Sequence, residues 1–507
     1  MADASRTSRF IQNMGANGVY QAILILSGLI VPRFILNFYG SELNGLVSSL
    51  NQFISGLKIV EAGLAGASIL ALYKPLADRD EKQISGVLSA VRKLYLQVGL
   101  IFLLLVCGLA FLYPVLKGTE AMPRAMVTLL AFALGGKAFI EFFAVSKYRA
   151  FLIASQKVWV VSLASALSEF LTIGLIYGLA RAGCPLTFVY LALLLPLCVR
   201  AGILSWYVNK SAPFIRFDAP PLTEALEKRW DVLYLQILGM IRTSAPVVIA
   251  TVFLDLRTVS VYAIHYMVLV GVSSILSVLT GAISPGFGNV IARQEKIVLQ
   301  KASREFEVVF YALVAFFYAV TAVMLVSFVD LYTANVRDAD YHQPLFAFLL
   351  ALDGFFYSIK TPQGMLVTAA GLYRETRVQS TVQGAIIVVF GLMLTPYFGL
   401  VGLAVAMILS NVYRTIDLAI FIPRHLTHLS VREGVWRILQ TLGTSAIIFL
   451  PCHWIGVSPE TPIEWVRDAV YVSAWAALVT IGVNLLFQRH IVLSLVRRVK
   501  MAFGGAT

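Results

Sequence analysis

The sequence is poor in charge and has no long polar segment. Asp, Glu, Lys and Arg make up 13% of its 507 residues, whereas apolar residues make up 59%, and the mean hydropathy is +0.82. The longest polar connector, residues 209–229, has room for only a short surface helix. This composition excludes an ordinary water-soluble globular protein and indicates a chain made of membrane segments and turns.

The sequence also lacks the motifs of common enzymes and cofactor sites. It contains no Walker-type loop, no nucleophile elbow and no His, Asp and Glu cluster with metal-ligand spacing. We therefore expect neither catalysis, nor a cofactor, nor a bound metal. The net charge of +13 is not gathered into a basic patch with interleaved aromatic residues, so no nucleic-acid partner is expected. The few cysteines are scattered and favour neither a disulfide framework nor a zinc site: Cys107, Cys184, Cys198 and Cys452.

Most of the chain consists of about fourteen apolar stretches that are long enough to cross a bilayer. Alternate connectors between them hold 27 of the Lys and Arg residues, and the opposite connectors hold seven. Because cytoplasmic loops are enriched in Lys and Arg, this asymmetry predicts a multi-pass protein of the cytoplasmic membrane with both termini in the cytoplasm. The positive charge then faces anionic lipid head groups, so membrane lipid is an expected partner.

The chain is internally repeated at a nearly constant offset. Residues 38–43 match residues 253–258 at an offset of 215, and Pro32 matches Pro246 at an offset of 214. Two similar halves in the same orientation are typical of parallel-repeat transporters, whose binding site lies between the halves. We therefore predict an all-α polytopic membrane protein with two pseudo-symmetric six-helix lobes and two further helices. The predicted divisions are an N-terminal lobe (1–208), a cytoplasmic linker (209–231), a C-terminal lobe (232–422) and a last pair of helices with a cytoplasmic tail (423–507).

Short motifs along nearly the whole chain resemble those of one protein family. They are Pro32-Arg33-Phe34-Ile35-Leu36, Tyr39-Gly40-Ser41-Glu42 and Leu72-Tyr73-Lys74-Pro75 in the first half, and Ala370-Gly371-Leu372-Tyr373-Arg374-Glu375, Gly399-Leu400-Val401-Gly402 and Ser410-Asn411 in the second. With these motifs the chain resembles the bacterial polysaccharide-repeat-unit flippases of the multidrug/oligosaccharidyl-lipid/polysaccharide exporter superfamily.

The resemblance implies two lobes around a central cavity, lined mainly by the first, second, fourth, seventh, eighth and tenth helices, and transport by alternating access. The implied cargo is an oligosaccharide on a polyprenyl diphosphate, which moves from the inner to the outer leaflet for assembly of capsule, O antigen or exopolysaccharide. A polysaccharide polymerase and other assembly proteins are the implied protein partners. The sequence leaves open whether H⁺, Na⁺ or neither drives transport.

Two Lys and Glu combinations within predicted helices share a helix face. Lys58 and Glu61 are three residues apart, and Lys137 and Glu141 are four apart, which puts each combination on one side of a helix. The resemblance places both helices at the cavity. Two interpretations follow: each pair is neutralised and fixes helix packing, or one member releases its partner to meet the substrate diphosphate.

Arg242 is the first candidate for the diphosphate contact. No acidic residue lies within one helical turn of it, and its planar guanidinium suits phosphate oxygens. Asp353 and Lys360 share a face of the tenth predicted helix just before Pro362, where we expect a kink that is either a hinge or a simple bend. His265 in the eighth predicted helix is a candidate for proton sensing or sugar contact, with hydrogen-bonded packing as the alternative.

A row of amides on the first predicted helix completes the candidate site. Asn13, Asn17 and Gln21 are spaced four apart and therefore lie in one row, and Gln52 adds the same chemistry on the second helix. Amides both donate and accept hydrogen bonds, as sugar hydroxyls require, and bonding between helices is the alternative. Arg33, at the outer end of the first helix, either reaches to the membrane interface or meets the arriving diphosphate.

Three other functions stay open on the sequence alone. A cation-coupled multidrug exporter of the same superfamily favours acidic groups, and the helices expected at the cavity carry four basic and three acidic residues. A lipid II flippase has the same number of helices, but its N-terminal signature is not recognised here. A membrane glycosyltransferase or polymerase is a different class, which usually carries large extracytoplasmic loops or acidic clusters.

Overall fold

The computed structural model describes residues 2–61, 63–118, 120–222, 230–456 and 459–494. Within these ranges the protein consists of sixteen α-helices and has no β-strand. The helices are α1 (Ala2–Leu57), α2 (Leu64–Asp78), α3 (Glu81–Leu116), α4 (Arg124–Ile140), α5 (Ser146–Ala154), α6 (Val158–Arg181), α7 (Leu186–Ala192), α8 (Leu194–Ser211), α9 (Trp230–Phe253), α10 (Leu256–Ala292), α11 (Lys296–Tyr332), α12 (Pro344–Ile359), α13 (Thr361–Ala370), α14 (Arg377–Ile422), α15 (Val431–Ile455) and α16 (Pro462–Phe487).

The apolar runs form helices because a backbone in lipid must satisfy its hydrogen bonds within its own segment. Eleven helical segments of the described chain are long and apolar enough to cross a membrane. Two of them are double: Gln12–Asp78 bends at Gly40 (φ 81°) and Arg377–Thr427 bends at Gly399 (φ 57°), both in conformations that favour glycine. Each of the two double segments accounts for two crossings, so the eleven segments account for thirteen. The shorter apolar helix Gly239–Phe253 adds one, which makes fourteen crossings. The predicted all-α membrane fold is confirmed.

Three interruptions of the helices fall at charged residues of the candidate site. A 3₁₀ turn, Lys58–Glu61, follows α1. A π-helical turn, Glu141–Val145, joins α4 to α5. α12 gives way to α13 beside Lys360, where Pro362 has no N–H to continue the hydrogen bonding of α12. The last bend lies where the sequence predicts a kink.

The chain divides into two compact units, residues 1–260 and 261–507. In the first unit, α1 packs along α6 and against α9, and α3 packs against α4. Its core includes the fully buried Leu46, Leu88 and Phe102. The first unit thus continues beyond the predicted linker and includes α9, the helix that carries Arg242.

The second unit is organised around α11. This helix packs against α12, α15 and α16, and Phe310, Tyr318 and Phe355 lie buried in the adjoining core. In both units large apolar side chains also remain exposed, for example Leu104 in the first and Leu478 in the second. Exposed apolar faces of this extent are typical of helices that face lipid.

Candidate functional site

A polar cavity of about 360 Å³ opens inside the first unit. It lies between the 3₁₀ turn, the end of α4, the π turn, α5, α6 and α8. At about 30 Å³ per water, this volume holds roughly a dozen waters or one small ion with its hydration, but no oligosaccharide. Its charged lining residues are Lys58, Glu61, Lys137, Glu141, Arg149 and Glu169. The structure therefore brings all four predicted Lys and Glu residues of the first half together at one cavity.

Arg149 joins two carboxylates of the cavity. Its Nη1 lies 2.8 Å from Oε1 of Glu141, and its Nη2 lies 3.7 Å from Oε1 of Glu61. The guanidinium of Arg200 on α8 lies 3.2 Å from the same Oε1 of Glu141. The hydroxyl of Tyr95 donates a hydrogen bond of 3.1 Å to Oε1 of Glu61. Both carboxylates are thus engaged by arginine.

The π turn explains how Arg149 reaches Glu141. In a regular α-helix a separation of eight residues would rotate the two side chains by about 80° relative to each other. A π turn contains one residue more than an α turn, so α5 continues with nearly the register of α4 and the two side chains share a face. The hydrogen bond that defines this turn runs from the N–H of Ser146 to the carbonyl oxygen of Glu141.

The two cavity lysines are not paired with the glutamates on their own helices. Among the described residues, no carboxylate oxygen lies within 4.0 Å of Nζ of Lys58 or Lys137. Lys58 is exposed, and Nζ of Lys137 lies 5.2 Å from the centroid of the Tyr190 ring, which is a cation–π contact. Of the two interpretations of the Lys and Glu spacing, this geometry corresponds to the one in which the partners separate.

Glu169 on α6 supplies the third carboxylate of the cavity. Its Oε2 accepts a hydrogen bond of 3.2 Å from the hydroxyl of Ser27 on α1. Arg200 does not line the cavity but contacts Glu141, which does. With Arg200 included, four basic and three acidic side chains surround the cavity. The described surroundings are therefore slightly positive, and two of the three carboxylates are paired with arginine.

Gln52 is bonded to the helix that carries Arg242. Its Nε2 donates to the carbonyl oxygen of Thr243 at 2.9 Å and to the hydroxyl of Ser244 at 3.1 Å. Arg242 itself is half-buried and is not among the residues that line the cavity. Gln52 therefore fixes α9 against α1 next to Arg242.

Asn13 holds the start of α6. Its Nδ2 donates to the carbonyl oxygen of Gln156 at 2.9 Å, and its Oδ1 accepts from the N–H of Trp159 at 2.9 Å. Such a side chain satisfies a backbone group that the first turn of a helix leaves unpaired. The other polar candidates on α1 have exposed side chains and do not line the cavity: Asn17, Gln21 and Arg33.

In the second unit an amide connects Asp353 and Lys360. Nδ2 of Asn411 donates to Oδ1 of Asp353 at 2.7 Å, and Oδ1 of Asn411 accepts from Nζ of Lys360 at 2.5 Å. All three side chains are buried. Asn411 lies on α14, and its bridge ties that helix to α12 and to the break that follows α12.

His265 is fully buried within the second unit. Its Nδ1 lies 2.8 Å from the carbonyl oxygen of Val261, one turn earlier on α10. Its ring packs at 64° to the ring of Phe346, with the centroids 5.4 Å apart. Among the described residues, Nε2 has no hydrogen-bond partner. These contacts are those of a packed residue, and none of them reaches the cavity of the first unit.

Sequence reasoning did not place four of these residues at the candidate site: Arg149, Glu169, Arg200 and Asn411. Arg149 belongs by sequence to a cytoplasmic connector, and Arg200 and Glu169 belong to helices that the resemblance makes peripheral. Asn411 does occur in the Ser410-Asn411 motif of the resemblance, which was the available signal. For Arg149 the regular helical period gives the wrong face, because it does not include the π turn.

Comparison with solved structures shows the same fold in several transporters. A multidrug resistance MATE family transporter of the MOP superfamily, in an inward-facing conformation, has a TM-score of 0.62 at 16% identity, over 85% of this chain and 100% of that one. The lipid II flippase MurJ, in an inward closed conformation, has a TM-score of 0.68 at 13% identity, over 94% and 99%. The Vibrio cholerae MATE transporter VcmN, in its bent form, has a TM-score of 0.53 at 14% identity, over 88% and 98%.

No protein-family model and no curated protein sequence matches the chain. At these identities the similarity establishes the fold, which is that of MATE and MurJ transporters of the MOP superfamily. It is also the fold that the resemblance of the sequence motifs implies. The cargo does not follow from the fold, because one fold carries many functions.

Proposed function

We propose that the protein is a flippase that moves a polyprenyl-diphosphate-linked oligosaccharide from the inner to the outer leaflet of the cytoplasmic membrane by alternating access. The observation that supports this most strongly is the charge arrangement of the cavity. Lys58 and Lys137 have no carboxylate of the described chain within 4.0 Å, whereas Glu61 and Glu141 are held by Arg149. A cavity in which both lysines are available and two of the three carboxylates are held by arginine favours an anionic ligand.

The size of the cavity suits one part of the proposed cargo. About 360 Å³ accommodates a diphosphate group but not the oligosaccharide attached to it. The ammonium groups of Lys58 and Lys137 are compact charges with rotatable donors, which bind phosphate oxygens without demanding one orientation. The sugars then lie outside this cavity and the polyprenyl tail stays in lipid.

The cation-coupled drug exporter is less consistent with this cavity. A cationic drug needs carboxylates that are available to it, but two of the three cavity carboxylates are bonded to arginine. Lipid II flipping is the second candidate, because MurJ has the same fold over 94% of this chain. Lipid II also carries a polyprenyl diphosphate, so the same two lysines would serve it.

The proposal is tested by reconstitution into proteoliposomes with fluorescent cargo. Vesicles are loaded with a polyprenyl-diphosphate-linked repeat unit, with lipid II or, in a third arm, with a cationic dye and an ion gradient. We expect transfer of the repeat unit between leaflets, and a loss of roughly tenfold or more in Lys58→Gln/Lys137→Gln, because each lost charge-assisted hydrogen bond weakens binding by about 1.5–3 kcal/mol. Lys210→Gln is the matched control, because Lys210 lies over the Trp206 ring and does not line the cavity.

Each arm has an outcome that decides between the candidates. Transfer of lipid II but not of the repeat unit would replace the proposed cargo with lipid II. Export of the dye without transfer of either polyprenyl diphosphate would establish the drug exporter instead. Equal transfer by the double variant and the wild type would remove the two lysines from the site.

A further inference from the structure

Arg149 holds the two carboxylates that the sequence spacing places beside the cavity lysines. Lys58 and Glu61 are the first and last residues of a 3₁₀ turn, and side chains three apart in such a turn lie almost directly above one another. Lys137 and Glu141 are four apart, which is the spacing of an ordinary helical ion pair. Even so, neither pair lies within 4.0 Å in the described structure.

Arginine is the stronger competitor for both carboxylates. Its fork presents several donors in fixed directions and is more weakly hydrated than an ammonium group, so it is the better partner in a partly buried site. Arg149 meets Glu141 at 2.8 Å and Glu61 at 3.7 Å. The side chains of Arg149, Glu61 and Glu141 are 29%, 20% and 20% exposed, so solvent screens these contacts only in part.

We propose that Arg149 is a positioning residue that keeps Lys58 available for an anion by holding Glu61, and that it shares with Arg200 the holding of Glu141. This inference rests on the proposed function, because the anion concerned is the diphosphate of the cargo. Arg149 need not touch the diphosphate for this role. Removal of Arg149 acts by freeing a carboxylate, which can then pair with a lysine.

The two carboxylates differ in what else holds them. Glu141 also contacts Arg200 at 3.2 Å, so it stays paired when Arg149 is removed. Glu61 keeps only the hydroxyl of Tyr95, at 3.1 Å, among its remaining described contacts. The loss of Arg149 should therefore bring Glu61 onto Lys58 and leave Lys137 largely unaffected.

This asymmetry defines a rescue experiment. Binding of inorganic diphosphate to the full chain in nanodiscs is measured by calorimetry for the wild type, Arg149→Gln, Arg149→Gln/Glu61→Gln and Arg149→Gln/Glu141→Gln. We expect Arg149→Gln to weaken binding by roughly fivefold, because the exposed Lys58 regains Glu61 as a partner and such pairs contribute up to about 1 kcal/mol. Adding Glu61→Gln restores binding to within about twofold of the wild type, whereas adding Glu141→Gln does not.

Lys147→Gln is the matched control. Lys147 lies on α5 two residues before Arg149 and carries the same charge, but its Nζ lies over the rings of Tyr148 and Phe217 instead of in the cavity. A general effect of net charge would weaken binding equally in Lys147→Gln and Arg149→Gln. We expect the control to bind within about twofold of the wild type, because its charge lies over aromatic rings outside the cavity.

The possible outcomes separate this inference from the proposed function. If the wild type does not bind diphosphate, the proposed function fails and this inference fails with it. If the wild type binds but Arg149→Gln binds equally well, or if Glu61→Gln and Glu141→Gln rescue to the same extent, only the positioning role is overturned. Should Arg149→Gln not fold, Glu61→Gln alone decides: because Arg149 already holds Glu61 in the wild type, the proposal expects binding within about twofold of the wild type. Markedly tighter binding would show that Glu61 already competes for Lys58, and markedly weaker binding that Glu61 serves the anion itself; either result contradicts the proposal.

Discussion

Arginine and lysine have different roles among the buried ionic groups of this chain. Arg149, Arg414 and Arg437 each contact a carboxylate, whereas Lys137 lies against an aromatic ring. The planar guanidinium suits a fixed structural pair, and the ammonium group is more easily exchanged between partners. The contacts of these three arginines are thus those expected of structural pairs.

The buried pair of Arg437 and Glu307 gives a stability prediction. The pair connects α15 to α11, and its side chains are 8% and 10% exposed. Arg437→Ala leaves the carboxylate of Glu307 buried without its cation, so we expect the free energy of unfolding to fall by about 3–5 kcal/mol. Thermal unfolding in detergent, followed by intrinsic fluorescence, measures the change.

Arg304 provides the matched control for this prediction. It also pairs with a glutamate of α15, Glu433, at 3.1 Å, but the two side chains are 43% and 47% exposed. Such pairs contribute about 0–1 kcal/mol, so Arg304→Ala should leave the unfolding midpoint nearly unchanged. Similar losses in both variants would contradict the assignment of Arg437–Glu307 as a buried structural pair.

The breaks in the helices determine which side chains meet. The 3₁₀ turn after α1, the π turn between α4 and α5 and the break between α12 and α13 each lie next to charged residues. A π turn amounts to one residue inserted into an α-helix and is frequent at functional sites. Here the inserted residue brings α5 to the face on which Arg149 meets Glu141.

A deletion tests this account of the π turn. Removal of Phe143, which is 52% exposed, should convert the π turn to an α turn and keep α5 in register with α4. Removal of Ala131, a buried residue within α4, should instead rotate everything that follows it by about 100°. We expect the first variant to fold and to keep transport within roughly tenfold of wild type, and the second not to fold, as judged by size-exclusion chromatography. Equal loss in both would contradict the insertion model.

Close helix contacts in the first unit depend on a glycine of α1. A Cβ added at Gly45 would lie 1.7 Å from the carbonyl oxygen of Leu256, so the two backbones must move apart. The adjacent hydrogen bond from Asn44 to the hydroxyl of Ser260, 2.7 Å long, would be lost with that movement. Small residues at such crossings allow backbones to approach closely.

Gly45→Ala is therefore expected to destabilise the protein by about 1–3 kcal/mol, because an inserted methyl group overpacks the contact. Gly28→Ala on the same helix is the control, since nothing lies within 4 Å of its added Cβ. An alanine at that position should be neutral or stabilising by about 0.5–1 kcal/mol. Thermal unfolding of the two variants side by side decides the matter, and a tolerated Gly45→Ala would show that this contact is not tight.

The whole fold was predictable from sequence because it depends on signals that accumulate over many residues. Hydropathy indicates the fourteen crossings, and the glycine bends at Gly40 and Gly399 lie between the stretches that the sequence separates. The site was predictable only in part. Lys58 and Lys137 do reach one cavity, but their release by Arg149 depends on a single inserted residue, and the bridge through Asn411 depends on packing between distant segments.

The orientation of the whole molecule is a prediction that the charge asymmetry alone supports. Four variants test it, each made in a chain without its four cysteines and each with one new cysteine at an exposed position. The charge asymmetry places Lys82 and Glu375 in the cytoplasm, and Gly118 and Asp338 outside. A membrane-impermeant maleimide on intact cells should label only Gly118→Cys and Asp338→Cys, because Lys and Arg concentrate in cytoplasmic loops. The other two should react only after permeabilisation. Labelling of Lys82→Cys in intact cells would show that the orientation is the opposite one. The cavity would then be loaded from the other leaflet.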